Sequence, residues 1–221
     1  MMSARELILS ALRQGNTATA AGEPNDAGAI AAAADALIAD LSLGRPRLGE
    51  GSLPMLFERQ ITSPKVAASL DKAASLADVP RAVDIYLTTH GLAREIALQP
   101  EPALTAMDWS GYHLHEEVKS DTIVAVGKAL WGIAETGTLV FHSGPHSPTL
   151  FDFFPLHHLV VIEASRILGY LEDYVAASMG QPVPRNVNFV TGASGTTDIE
   201  GTLVRGAHGP RFLHVILVED S

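Results

Sequence analysis

The sequence predicts an α/β fold: an open, mostly parallel sheet with helices on both faces, preceded by an N-terminal helical extension. Three observations lead there. Beyond residue 81, short β-branched and aromatic runs alternate with stretches of helical periodicity, the order that builds parallel sheets. Apolar residues make up 47% of the 221, enough for a sizeable core. Before residue 81, apolar residues recur at helical spacing between Gly- and Pro-rich breaks. The expected division is a helical region over residues 1–80 packing on an α/β core over residues 81–221.

Taken in order, Ser3-Ala4-Arg5-Glu6 fits a capping box, and Leu7, Ile8, Ala11 and Leu12 then share a face that ends at Gly15. Residues 16–28 are small, polar and interrupted by Pro24, as in a linker. Ala29 to Leu41 reads as a second helix, with Ile30, Ala34, Leu37 and Leu41 at helical spacing. Gly44 to Pro54 is a loop. Ser63 as N-cap and Pro64 at the first helical position predict a third helix that carries Val66, Leu70 and Ala73 inward and stops before Pro80.

The α/β half opens with Val83, Ile85 and Leu87 alternating with Asp84 and Tyr86, a strand pattern with one wet face. Thr122 to Val126 suits a buried strand. Trp131 to Ala134 and Thr138 to Phe141 form two more around a Glu135-Thr136-Gly137 turn, and Leu159 to Ile162 is another. Ser165 to Met179 is predicted as a helix, stopped by Gly180 and Pro182. Val187 to Val190 is a strand, followed by a Gly/Ser/Thr turn, a short helical or irregular segment from Asp198, a turn at His208-Gly209-Pro210, and a closing strand from Phe212 to Val218.

Composition excludes several functions. There is no cysteine, so these residues form no disulfide and supply no thiolate for an iron–sulfur cluster. The formal charge is −10 and only four of the fifteen basic residues are Lys. That argues against a nucleic-acid footprint, which needs clustered cations. No uncharged apolar run approaches the roughly 18 residues of a membrane span. The start, MMSARELILS, lacks the apolar core and cleavage site of a secretory signal, so a cytoplasmic location is expected.

Ligands of parallel sheets sit beyond the strand carboxyl ends. The turns at Glu135-Thr136-Gly137 and Gly192 to Thr197 both follow predicted strands and are expected to face one crevice. Gly192, Ser194, Gly195, Thr196 and Thr197 offer backbone N–H and hydroxyl donors to a small anion, and a helix starting at Asp198 would add its positive end. The same residues also suit an ordinary strand-to-helix turn capped by Thr197 or Asp198. Glu135, between two apolar strands, can act as a base or orient a ligand hydroxyl, with Thr136 adding a hydroxyl and Gly137 close backbone approach. Alternatively it accepts the N–H groups of Gly137 and Thr138.

Asp198 and Glu200 are two apart and share no helical face, so they make no acid–base dyad. Asp198 either caps or holds a ligand hydroxyl. His208 and Arg211 flank Gly209-Pro210. There Arg211 can clamp a carboxylate and His208 can shuttle a proton, which suits a 2-hydroxy or 2-oxo acid, or the pair can be purely structural. Among the nine histidines, His113 and His115 would share a face in a strand, with Glu116 beside them. His157 and His158 would point opposite ways, and His142 and His146 bracket a turn. No full ligand set is legible, so no metal is assigned. Ser143 and Ser194 lie in turns without the GxSxG elbow of a nucleophile.

The blocks IAETGTLV (Ile133 to Val140), GASGTTDIE (Gly192 to Glu200) and HGPRFLHVILV (His208 to Val218) resemble the signature of the LUD domain, and within it the lactate-utilisation protein C (LutC/YkgG) group. The resemblance implies a NagB/RpiA/CoA-transferase-like fold. It also implies a role beside iron–sulfur partner proteins in oxidising L-lactate to pyruvate, those partners holding the clusters. One segment departs from the pattern: HSGPHSPTLFDFFPLHH (His142 to His158) lacks the Arg-containing stretch and Leu-Pro-Asp element that the resemblance implies, so it offers no basic contact to a ligand phosphate. Phe151, Phe153 and Phe154 within it suit either core or a partner surface.

The sequence thus supports a subunit of a lactate-utilisation system that binds a small organic anion or nucleotide-like ligand between the Glu135 and Gly192 turns. The alternative is a stand-alone enzyme of the same fold acting on a phosphorylated or CoA-linked substrate. Self-association into a homo-oligomer is compatible with either.

Overall fold

The structure, a computed structural model, describes residues 27–197 and 203–219. The predicted first helix, Asp198 and Glu200 lie outside the described residues. The chain divides into two units, Met1–Arg47 and Leu48–Ser221.

In the first unit, the Ala-rich helix α1 (Ala27–Ala39) begins two residues before its predicted start. Alanine's high helix propensity sustains it, and residues 28–40 are exposed. Asp40 then caps a short 3₁₀ turn, its carboxylate accepting from Ser42 N at 3.0 Å.

The second unit runs through α2 (Leu53–Ile61), β1 (Ser69–Ala73), α3 (Val79–Thr89), β2 (Glu95–Leu98), α4 (Pro102–Thr105), β3 (His113–His115) and β4 (Val124–Lys128). It continues with β5 (Trp131–Ile133), β6 (Thr138–His142), α5 (Leu150–Phe153), β7 (His157–Glu163), β8 (Ile167–Leu168) and α6 (Leu171–Ser178). Four strands close it: β9 (Val187–Val190), β10 (Gly195–Thr197), β11 (Leu203–Arg205) and β12 (Phe212–Val218).

The central sheet has the order β1-β12-β7-β4-β2-β3, and every pairing within it is parallel. This is the predicted open α/β sheet. On one face, Val79, Val83, Tyr86 and Leu87 of α3 cover Ile96, Val126, Val161, Ile216 and Val218. On the other, Leu56, Phe57 and Ile61 of α2, with Leu139 and Phe141 of β6, cover Val160, Ile162, Val215 and Leu217. Because β7 and β12 are buried on both faces, they read as continuous apolar runs. A second sheet, β8-β5-β6-β9, lies on the α2 side, and β10 pairs with β11.

Several predicted elements take another form. The Ser63-Pro64 start yields one turn only, with Val66 N and Ala67 N both bonded to Ser63 O. Ala67 then turns left-handed (φ 58°), and residues 69–73 pair with β12 instead of coiling. The strand expected at Val83–Leu87 is part of α3. Pro80 in its first turn starts the helix, and Ile85 is exposed while Val83 and Leu87 are buried. The long helix predicted over 165–179 shortens to α6, because Ile167 and Leu168 are recruited to pair with β5, and Asp173 caps Tyr170 N at 3.0 Å. Gly195, Thr196 and Thr197, expected in a turn, form β10, opposite Arg205, Val204 and Leu203. Among the described residues no helix is long and apolar enough to cross a membrane.

Candidate functional site

The two predicted turns are neighbours. Antiparallel pairing of β6 with β9 sets Leu139 opposite Val190. Just beyond, the Thr138 hydroxyl lies 2.6 Å from those of both Thr136 and Thr191. Both glycines are filled by the protein itself. Gly137 (φ 68°) and Gly192 (φ 86°) would place a Cβ 2.9 Å from the Ile61 backbone and 2.1 Å from Val66 O respectively, so the end of α2 is wedged beneath the first turn and the segment after α2 beneath the second. Donors are committed as well: Gly137 N–H bonds Ile133 O, and Ser194 N–H bonds Pro210 O. Glu135 is half-buried. Its carboxylate has no hydrogen bond or ion pair among the described residues, and the expected bond from Gly137 N–H goes to Ile133 instead.

Beside the glycine turn, Gly206 N–H bonds Ser194 O at 2.9 Å, extending the β10–β11 pair, while Ser194 N–H to Pro210 O at 2.8 Å clasps it to the segment that carries Arg211. A cleft of about 420 Å³ opens there, lined by Ser69, Tyr86, His90, Arg205, Arg211 and Phe212. It lies at the amino ends of β1 and β12, not beyond the carboxyl ends of the central strands, because Arg211 precedes β12 and the glycine turn leaves the second sheet. No carboxylate lines it. Neither guanidinium forms an ion pair among the described residues, and Arg211 Cζ sits 5.5 Å from the Phe212 ring centroid. His208 is exposed and does not line the cleft.

Behind the cleft is a layer of rings. Tyr86 Oη and His157 Nδ1 are hydrogen-bonded at 2.9 Å, and Ser69 Oγ and His214 Nδ1 at 2.8 Å. Tyr86 stacks on His90 at 4.0 Å, and His157 on Phe212 at 4.4 Å. Burial pushes Tyr86 up to about 12. It lowers His157, helped by His90, and brings His214 to about 4, with Asp71 opposing and His90 assisting. At neutral pH Tyr86, His157 and His214 carry no charge, so Arg205 and Arg211 set the sign of the cleft.

At the carboxyl ends, Lys128 and Glu163 close β4 and β7 and pair at 2.5 Å, flanking a cleft of about 440 Å³ that also receives Trp131, His142 and Arg166. There cation and anion neutralise each other, leaving a weaker pull on an anion than at the arginine cleft.

The family model of the LUD domain matches residues 3–218. The chain belongs to the LUD domain family. Among its relatives are a lactate utilization protein C of Halalkalibacterium halodurans, 31% identical over 102 residues (44% of each chain), and one of Deinococcus radiodurans, 33% identical over 108 residues (47% of this chain, 50% of that one). An uncharacterised protein of Neisseria meningitidis serogroup B is 35% identical over 89 residues (39% of this chain, 38% of that one). The matched stretches span half or less of these relatives' length. A crystal structure of a DUF162 family protein from Deinococcus radiodurans shares the fold, with a TM-score of 0.54 over 75% of this chain and 96% of that one, at 21% identity.

Within this LUD domain, the structure gathers Gly192, Ser194, Gly195, Thr196 and Arg211 around one clasp. Glu135, Thr136 and Gly137 join it only through Thr138 and Thr191, and they do not line the arginine cleft. Sequence reasoning passes over Arg205, Ser69, Tyr86 and His90, which three separate segments bring together. Of the phenylalanine cluster, Phe151 is buried while Phe153 and Phe154 are exposed.

Proposed function

We propose that this LUD-domain protein serves lactate utilisation, and that the cleft between Arg205 and Arg211 holds a small organic carboxylate such as L-lactate or pyruvate. The relatives' name supports the metabolic role. The observation that carries the ligand is the pair of guanidiniums without a protein carboxylate, set over the neutral rings of Tyr86 and His214. Arginine meets a carboxylate with two parallel hydrogen bonds, and the Ser69 hydroxyl and His90 lie within the same walls to receive a 2-hydroxy or 2-oxo group. An iron–sulfur cluster that takes up the substrate's electrons would be held by partner proteins, since the 221 residues contain no cysteine to ligate one.

Calorimetric titration with L-lactate and pyruvate, against neutral lactamide as control, tests this reading. The acids are expected to bind and lactamide not. Arg211→Ala should weaken the acids by about 10- to 100-fold, the loss of one charge-assisted contact. Equal binding of lactamide, or affinity unmoved in both Arg205→Ala and Arg211→Ala, would overturn it. In cells, removing the gene should abolish growth on L-lactate, with rescue by the wild type and not by Arg211→Ala.

A further inference from the structure

At the edge of the central sheet farthest from β1, the short strand β3 pairs with β2 so that Glu95 faces His113 and Ala97 faces His115. Alternation along a strand puts positions 95, 113 and 115 on one face. There, one ligand atom from each of Glu95, His113 and His115 lies within 4.8 Å of the other two. His115 Nε2 is 2.8 Å from Glu95 Oε1, and the two imidazoles meet edge to face with centroids 4.7 Å apart.

We propose that Glu95, His113 and His115 bind one zinc-class divalent ion whose remaining coordination positions open toward the adjoining cleft. Two imidazoles and one carboxylate form a donor set that selects zinc, nickel or cobalt over magnesium and calcium. In a tetrahedral site with bonds near 2.0–2.2 Å, ligand atoms stand about 3.3 Å apart. The 2.8 Å pair is already near that spacing, and rotation about exposed side-chain bonds brings in the third. The backbone under the site is fixed: Ile96, Ala97 and Leu98 are buried, and His113 N–H bonds Arg94 O at 2.8 Å. The neighbouring cation does not compete, because Arg94 is held by Asp84 through bonds of 2.6 and 2.9 Å.

Three protein ligands leave at least one position for water or for an oxygen of a bound molecule. That position meets a cleft of about 580 Å³ lined by Glu95, His115, Glu117, Lys119 and Asp121. Sheet order places this edge opposite the arginine cleft, so the site stands or falls independently of the lactate reading. The bland alternative is a surface His–Glu pair of little energetic weight.

Titrating the chelator-treated full chain with Zn²⁺ alone distinguishes the two. One ion per chain is expected, with a Kd of about 1 μM or tighter. His113→Ala, His115→Ala and Glu95→Gln should each weaken it by at least about tenfold, whereas the exposed His146→Ala should not. Co²⁺ should give the visible spectrum of a four- or five-coordinate ion in the wild type, a readout that does not depend on how the variants fold. No one-to-one binding, affinity unmoved by both histidine substitutions, or an octahedral Co²⁺ spectrum like that of the free ion would overturn the proposal.

Discussion

Residue by residue, the sharpest energetic statement belongs to His158. Both of its nitrogens are buried without a hydrogen-bond partner among the described residues, and its ring stacks on Phe141 at 5.8 Å. Burial brings it down to about 3, so the folded chain keeps it neutral while the unfolded chain protonates it below the ordinary value of 6.5. Its contribution to stability is therefore complete above pH 6.5 and is lost as pH falls toward 3, at about 1.4 kcal/mol per pH unit. His214, at about 4, acts with the same sign. Asp152, raised to about 6 by burial, acts with the opposite sign between pH 3.8 and 6. Urea unfolding of wild type and His158→Leu at matched pH isolates the imidazole. At pH 7 the variant should cost no more than about 1 kcal/mol, since it removes two unsatisfied polar atoms at similar volume, and between pH 6.5 and 4.5 it should lose stability less steeply. A parallel pH dependence would refute the assignment. The same scale shows what the sequence could and could not say about the sites. Arg211 is legible because a Gly-Pro turn fixes a cation at the start of a strand, and His113 and His115 because two-residue spacing is visible in one segment. Arg205, Ser69, Tyr86 and Glu95 become site residues only through pairings across the fold.

At the level of elements, the turns after β5 and β9 owe their glycines to packing against the end of α2 and the segment that follows it, respectively. Gly192→Ala must accommodate a Cβ 2.1 Å from Val66 O at φ 86°, and Gly137→Ala one 2.9 Å from the Ile61 backbone at φ 68°. Backbone cannot yield as a flexible side chain does, so each should destabilise the fold by at least about 2 kcal/mol in urea titrations. Gly144→Ala, with open space around the new methyl group, should shift stability by less than about 0.5 kcal/mol. Equal effects at the three positions would show that the wedge does not constrain the turns. Element identity was legible wherever one physical cause dominated. The runs of β4, β7 and β12 are buried on both faces, and nothing but a strand buries six consecutive residues such as Leu213 to Val218 so evenly. It failed where local and distant causes disagreed. Val83, Ile85 and Leu87 alternate by coincidence on a helix whose burial repeats at Val79, Val83 and Tyr86. Ser63-Pro64 announces a helix that pairing of residues 69–73 with β12 overrides.

For the molecule as a whole, the decisive fact is that the last strand in sequence is interior in space. β12 lies between β1 and β7, pairing Ser69 with His214 on one side and Phe212 with His157 on the other. Its side chains reach both cores: Ile216 and Val218 join the α3 cluster, while Leu213, Val215 and Leu217 join the α2 cluster. The predicted fold class followed from this kind of strand, but the order of strands did not, because β1 and β12 meet across 145 positions of sequence, as between Ser69 and His214. Such pairing delays loop-closure gains until the chain is complete and makes the sheet slow to form. A chain ending at residue 210 would leave β1 without its neighbour, open the edge of β7 and remove the fully buried Val215, Ile216 and Val218, uncovering the apolar side chains of both clusters that pack against them. It also loses Arg211 and with it one wall of the arginine cleft. Such a chain is expected to show no cooperative urea transition and no near-ultraviolet circular dichroism, in contrast to the single sharp transition expected of residues 48–221 in the full protein. A truncated chain that unfolds cooperatively near the wild-type midpoint would mean that β7 and β4 close the core without β12, and that the sheet's central position for this strand is not what holds the two cores together.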